Sequence, residues 1–403
     1  MKVGTGISTH RDILSCVREA ATQARGKIGK SRIDLAIVFS SSDLASPALL
    51  KAISEKVGDI SIIGCTGLSV ISNSGVHQHA LALALISSEG DLHISTSYIR
   101  DVSAKTAFTA GKELAEKLIS EPKSSRREVG IFFNDGRITD IYKLILGLQE
   151  NLGIIFPMGG ACASDALLFR KTNVYFDRLV LSDAAAGVLL GGKFSYGWGL
   201  RHGFNPIGKH RVITRGYDNI IETIDNKPAV SVYEEFFAKS FPELKMELPS
   251  ISRVYPLGVY LSEAKEYLIR NILTVEENGA LVCQGDIING GTLRMMIGTK
   301  ERFIEAAGQA AEDAKQNLTI AKFGSYEQAP SVDIVFVFSS AFRHKYLKRS
   351  VAEEVEMIKK SVGEHTPIIG VSTYGEYAPL AAASTKGRAL FQNQSIAVLL
   401  IGS

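Results

Sequence analysis

The sequence predicts an α/β protein made of repeated helix-strand-helix-strand-strand units, with mixed sheets, helices on the outer faces and two lobes. Three observations predict it. An acid-led apolar run occurs three times, as Asp34-Leu-Ala-Ile-Val-Phe-Ser-Ser, Glu128-Val-Gly-Ile-Phe-Phe-Asn-Asp and Asp333-Ile-Val-Phe-Val-Phe-Ser-Ser. After each run comes an amphipathic stretch closed by glycine. A second apolar run, itself broken by glycine, then follows. Apolar runs without alternation suit strands covered on both faces, so a layered αββα arrangement is expected. Recurrence in one order points to internal duplication.

In the first unit Ser46 is placed to cap a helix, Pro47 fits its first position, and Gly58 ends it. The second unit's helix runs from about Thr139 to Leu152 with Gly153 as the stop. The third runs through Val351, Val355 and Ile358 to Val362 and stops at Gly363. Apolar residues at three- and four-residue spacing give each helix one buried face. The second strands are Ile62-Ile63-Gly64-Cys65-Thr66-Gly67, Pro157-Met158-Gly159-Gly160-Ala161-Cys162 and Ile368-Ile369-Gly370-Val371-Ser372-Thr373. The helical crossover makes each pair of strands parallel. A closing antiparallel strand follows at Ala80 to Ile86, Ala186 to Leu190 and Ser395 to Ile401. Upstream of each unit is one more helix, opened by Ser8 or Thr9, by Ser103 and by Thr299. Small-residue clusters (Ala20-Ala21, Ala110-Gly111, Ala306-Ala307-Gly308) let these helices pack closely on a sheet.

Two domains are expected in the 403 residues: 1–225, holding units at about 1–88 and 91–198, and 226–403, holding the third at about 292–403. The stretch Arg201 to Gly290 fits none of the copies and reads as either a degraded fourth copy or a connector. Within it, Lys239 to Arg253, with prolines at 242 and 249, reads as a surface loop.

Lys plus Arg total 45 against 42 for Asp plus Glu, a net charge of +3, which gives no footprint for nucleic acid or anionic lipid. Cys16, Cys65, Cys162 and Cys283 stand far apart with no Cys-x-x-Cys pair, as free thiols in a reducing compartment would. The chain begins in patterned sequence without a leader-like segment, and Ala80 to Ile86 is too short to span a bilayer. A cytoplasmic protein is expected.

A further set of residues carries a family likeness. It comprises Asp34-Leu-Ala-Ile-Val-Phe, Ile63-Gly-Cys-Thr-Gly67, Ser182-Asp-Ala-Ala-Ala-Gly187, His202-Gly-Phe-Asn-Pro-Ile-Gly208, Asp225-Asn-Lys-Pro-Ala229, Tyr267-Leu-Ile-Arg-Asn271, Gly285-Asp-Ile287, Tyr374-Gly-Glu376 and Asn393-Gln-Ser395. In this order and spacing they resemble the FIST family (F-box and intracellular signal transduction), over nearly the whole chain. The resemblance implies an N-terminal FIST domain, a FIST C-terminal domain, and a small-molecule sensory role in signal transduction, with amino acids as candidate ligands. Many members carry a signalling output module. Here the last strand ends at Ile401, so output through a partner protein is expected.

In open α/β sheets, ligands bind beyond the carboxyl ends of parallel strands. That places Gly64, Cys65 and Thr66, then Gly159, Cys162, Ser164 and Asp165, then Ser372, Thr373, Tyr374 and Glu376 as pocket-lining candidates. Tight turns would account for the same residues. Arg270-Asn271 sits in an apolar stretch, where a buried Arg needs a carboxylate, from a ligand or from an internal acid. Arg201-His202 invites the same reading, and Asn393 is placed to hydrogen-bond a guest. Trp198, between Gly197 and Gly199, is set to pack at an interface or stack on a ligand.

Non-covalent recognition is the expected function, with no cofactor, no metal, no nucleic acid and no membrane. Two alternatives stay open: an enzyme using the Cys65 or Cys162 loop as a thiol nucleophile, and an interaction scaffold. His77-x-His79 lacks further metal ligands nearby, and no phosphate loop of the Gly-x4-Gly-Lys type occurs.

Overall fold

The three acid-led runs become the inner strands of three six-stranded mixed sheets. The structure, a computed structural model, describes residues 1–90, 92–120, 127–321, 331–380 and 387–402. The first unit runs β1 (Lys2–Ser8), α1 (Ile13–Ile28), β2 (Leu35–Ser41), α2 (Pro47–Val57), β3 (Ser61–Gly67), a hairpin of β4 (Val70–Ser72) and β5 (Gly75–His77), and β6 (Leu81–Ser87). The second runs β7 (Leu92–Arg100), α3 (Ala107–Ser120), β8 (Val129–Asn134), α4 (Ile141–Leu152), β9 (Met158–Cys162), a hairpin of β10 (Val174–Phe176) and β11 (Leu179–Leu181), and β12 (Ala184–Gly192).

The third unit opens with β13 (Ser195–Arg201) and is then interrupted. The insert comprises β14 (Phe204–Tyr217), β15 (Ile220–Ile224), β16 (Lys227–Pro228), α5 (Ser231–Phe237), α6 (Phe241–Ile251), β17 (Leu257–Leu261), β18 (Glu266–Arg270), β19 (Ile272–Val275), β20 (Leu281–Cys283) and β21 (Thr292–Gly298). The unit resumes with α7 (Lys300–Ala321), β22 (Ile334–Ser340), α8 (Ala341–Leu347), α9 (Val351–Val362), β23 (Ile368–Thr373), a hairpin of β24 (Gly375–Pro379) and β25 (Ala389–Gln392), and β26 (Ile396–Gly402).

The expected grammar holds, with β2/β3, β8/β9 and β22/β23 parallel and β6, β12 and β26 antiparallel. Two additions change its meaning. Each unit starts with a strand that pairs with its own closing strand: β1 with β6, β7 with β12, β13 with β26. Each unit also lends its hairpin to a neighbour. β4 joins β23 of the third unit, β10 joins β3 of the first, and β24 joins β9 of the second. The units therefore close a ring, and none completes its sheet alone.

Strand alternation explains the unbroken apolar runs. Leu35, Ile37 and Phe39 face a core shared by all three sheets, while Ala36 and Val38 face α1 and α2. In β22, Ile334, Phe336 and Phe338 face inward, and Val335 and Val337 pack under α7 and α9. At the centre Phe39, Phe133 and Phe338, the same position of each run, meet edge to face at 5.5, 6.0 and 6.2 Å. Such pairs add about 0.5–1.5 kcal/mol each beyond burial.

Glycine sets two close approaches. A Cβ at Gly64, Gly160 or Gly370 would lie 1.8, 2.0 or 2.1 Å from the carbonyl oxygen of Val38, Phe132 or Val337 on the adjoining parallel strand. On β1 and β13, Gly4, Gly6, Gly197 and Gly199 let the alanine faces of α1 and α7 descend onto the backbone.

Three expectations are corrected. Lys239–Arg253 is not a loop but contains α6, which Ser240 and Glu243 start with a reciprocal capping box, Pro242 lying in the first turn. The Arg201–Gly290 stretch is no fourth copy, because every strand pairing within it is antiparallel. Asp12, not Ser8 or Thr9, caps α1, and Ser103 lies in a 3₁₀ turn ahead of α3.

Candidate functional site

The parallel strands end together around the shared core, so their terminal residues meet. Thr66, Cys162 and Ser372 are the true register equivalents, one residue past the level of Phe39, Phe133 and Phe338. Cys162 is thus matched to Thr66 rather than to Cys65, and Gly160 rather than Gly159 matches Gly64 and Gly370. Gly159 instead gives room to Trp198, whose ring packs 6.3 Å from Phe338.

The candidates at these ends bond across the units. Ser164 accepts from the Leu68 amide at 2.9 Å and donates to the Ser372 carbonyl at 2.5 Å. Ser69 meets Ser372 at 2.5 Å and His344 at 2.9 Å. Asp165 takes the amides of Leu168, Phe169, Arg170 and Lys171 at 2.8–3.1 Å together with the Tyr374 hydroxyl, and Phe169 stacks on Tyr374. Burial alone would raise the Asp165 carboxyl, but these donors hold it below its ordinary value. Glu376, on the lent strand β24, bonds Thr373 and Ser395, and burial pushes its carboxyl up to about 8. Thr66, Ser164, Ser372, Thr373 and Glu376 are all buried.

The thiols are buried as well. Burial raises Cys65 well above its ordinary value and raises Cys162 too, the reverse of the lowered value that marks a nucleophile. Cys162 lies 3.7 Å from the Asn134 side chain.

Arg270 and Asn271 join the insert to this girdle. Arg270 is buried and finds an internal acid, Asp286, at 2.9 Å, with further bonds to the carbonyls of Ile269 and Phe391. Asn271 accepts from Gln394 at 2.6 Å and donates to Gln284 at 3.2 Å; Gln284 in turn donates to the Tyr374 carbonyl at 3.0 Å. Asn393 donates to the carbonyls of Ile269 and Gln284, and its own side-chain oxygen lacks a hydrogen-bond partner. Arg201 and His202 likewise pair internally, with Asp313 and Glu266. His77 bonds Ser74, and His79 bonds Asp43.

Open space lies beside the girdle. A cavity of about 640 Å³ sits beyond the carboxyl end of β8, between the starts of α3 and α4. Its floor is Asp135, buried and bonded by Arg137 at 2.8 Å, by the Asp183 amide at 2.6 Å and by the Thr172 hydroxyl. Burial would raise that carboxyl, yet Arg137 and Thr172 hold it below the usual range. Lys105, Asp140, Lys143 and Asp183 complete a wall of both charge signs. The Asp135 loop leans on the girdle, since a Cβ at Gly136 would strike the Ala163 carbonyl and the Tyr374 ring.

Residues 34–227 match the FIST N domain and residues 229–379 the FIST C domain. The chain belongs to the FIST family. FIST domains are small-molecule sensory modules used in signal transduction, which supports a signalling rather than a catalytic role for this chain. An uncharacterized protein of Mycobacterium tuberculosis, found in two strains, is 23% identical over 398 residues, covering 94% of this chain and 96% of its own. An uncharacterized protein of Methanocaldococcus jannaschii is 25% identical over 212 residues, 48% of this chain and 40% of its own. Of the solved structures, a cyanuric acid hydrolase from A. caulinodans aligns over 100% of this chain and 98% of its own, with 12% identity and a TM-score of 0.40.

In this FIST chain, sequence reasoning missed Asp135, Arg137 and Asp183. The signal was present: the second acid-led run ends in Asn134-Asp135, where the other two end in serines, and Gly136-Arg137 follows directly. No helix among the described residues is long and apolar enough to cross a membrane, and no cluster of three or more metal-ligating side chains occurs among them.

Proposed function

We propose that this FIST chain senses a small zwitterionic metabolite, an amino acid being the class that fits, in the cavity beyond β8. The observation that supports it is the two-signed wall. Arg137, whose fork also holds Asp135, and Lys105, paired with Glu113 at 2.7 Å, suit a ligand carboxylate, and Asp140 and Asp183 suit an ammonium group. The location accords with the rule for open parallel sheets.

The sequence-picked residues Gly64, Cys65, Thr66, Gly159, Cys162, Ser164, Asp165, Ser372, Thr373, Tyr374 and Glu376 then act behind the ligand, as the joint that carries its presence between units. Arg270, Asn271 and Asn393 extend that joint to the insert. Lys143, which bonds Asp218 at 3.2 Å, offers a direct link from the cavity to the insert. Output passes to a partner protein in the cytoplasm.

The test is a thermal-shift screen of amino acids, followed by calorimetry on Asp140→Asn and Lys105→Met. A true ligand raises the melting temperature by mass action. Each variant weakens its binding by about tenfold or more, the worth of one charge-assisted hydrogen bond. Unchanged affinity in both variants would place the ligand elsewhere.

A further inference from the structure

A second cavity, of about 460 Å³, lies between the insert and the third unit. Arg253, just past α6, Lys300 at the start of α7, and Lys345 and Lys348 at the end of α8 all line it. Among the described residues, no aspartate or glutamate does. Three other cavities each set carboxylates beside their cations: Asp135, Asp140 and Asp183 in the first, Glu266 and Glu305 in another, Glu235 in a third. On the neighbouring helices, Arg302 and Lys359 pair with Glu305 and Glu356. Glu301, adjacent to Lys300, is instead engaged by Thr299 and the start of α7.

The Arg253 guanidinium is half-buried and stands 4.9 Å over the Phe342 ring. Burial lowers its hold on its proton, and no carboxylate counters this. Four like charges around one hollow repel each other, and an anion entering it relieves that repulsion. An ammonium group would find no partner there, so a zwitterion suits this cavity poorly.

We propose that this cavity binds a small phosphorylated metabolite, its phosphate dianion held by Arg253, Lys300, Lys345 and Lys348. Lysines are compact charges with rotating donors that follow a tetrahedral dianion, and the arginine fork adds two parallel donors. Ser250 and Gln394 supply neutral polar groups, and Phe342, Tyr346 and Val254 give an apolar wall for the organic part. Gln394 also bonds Asn271, the end of the chain of amides that leads to Tyr374. This site stands apart from the zwitterion cavity and does not depend on it.

The test is calorimetric titration of the full chain with phenyl phosphate and, at matched ionic strength, with succinate. Phenyl phosphate binds and succinate binds at least about tenfold more weakly. Lys345 and Lys348 are exposed, so the double variant Lys345→Ala, Lys348→Ala folds, which circular dichroism checks. It loses about tenfold or more in phenyl phosphate affinity, the double Lys→Arg variant keeps binding, and Lys51→Ala on the remote α2 changes nothing. Lack of phenyl phosphate binding, equal or tighter succinate binding, or unchanged affinity in the double alanine variant would overturn the assignment.

Discussion

The cavity beyond β8 and the cavity beneath α6 both open where lysines gather, and they differ in what faces those lysines. In the first, Asp135, Asp140 and Asp183 stand among Lys105, Arg137 and Lys143. In the second, Arg253, Lys300, Lys345 and Lys348 face only neutral and apolar groups. The first grows out of the repeated unit, at the strand end where such sheets hold ligands. The second exists only because an insert interrupts the third unit and brings the end of α6 to face α8 across a hollow. One fold thus offers a two-signed hollow from its repeat and a one-signed hollow from its interruption, and each selects its guest by charge.

The hardest way to break this comparison is to strike what the cavities share. Phe338 belongs to the central trio, and Phe338→Ala should cost about 3–5 kcal/mol in chemical denaturation, as for other buried aromatics. Because all three sheets meet there, binding of amino acid and of phenyl phosphate should weaken together. Loss at one cavity with the other intact would show that the units do not close a single ring.

A smaller effect sharpens the role of the girdle between the cavities. The Glu376 carboxyl sits near 8 in the folded chain against 4.5 ordinarily, because of burial. A raised value means the folded state keeps a proton that the unfolded state gives up. The resulting stability is full below about 4.5 and is lost as pH rises through about 8, with a slope of up to about 1.4 kcal/mol per pH unit. Glu376→Gln should flatten that slope, so its melting temperature should gain on the parent between pH 5 and 8. A parallel decline in both proteins would assign the titration to other groups.

The smallest effect concerns coupling. Gln394, Asn271 and Gln284 form a line of amides from the cationic cavity to Tyr374, against which the Asp135 loop packs. Asn271→Ala should leave amino-acid affinity within a few-fold while reducing any change that phenyl phosphate makes to it, a coupling of about 1 kcal/mol. Equal coupling in parent and variant would remove this line as the connection.

The repeat was legible in the sequence because both faces of the inner strands are buried, leaving an apolar run with no polar interruption. The leading strands were not, since Gly4-Thr-Gly6 and Gly197-Trp-Gly199 look like turns until α1 and α7 are seen to need glycine beneath their alanines. The hairpin exchange was hidden for another reason: β4, β10 and β24 carry ordinary strand residues, and nothing local says which sheet receives them. At the site, loop position alone singled out the strand ends as pocket lining, whereas their serine and threonine side chains reach a neighbour's carbonyl and satisfy one another. The basic run Arg343-His-Lys-Tyr-Leu-Lys-Arg349 escaped notice because a whole-chain charge of +3 averages it away. Lys239–Arg253 was misread because it carries two prolines: Pro242 falls in the first turn, where a helix tolerates it, but Pro249 stands inside α6, a place that ordinarily argues against a helix.

The most direct test of the central claim, that the two-signed hollow holds the zwitterion, is an amide NMR titration of the whole chain with the amino acid that the thermal screen selects. The signals expected to move are those of Ser103 to Ala107 and Asp135 to Lys143, with Lys345 to Lys348 still. Movement confined to Lys345 to Lys348, or to neither stretch, would contradict the claim.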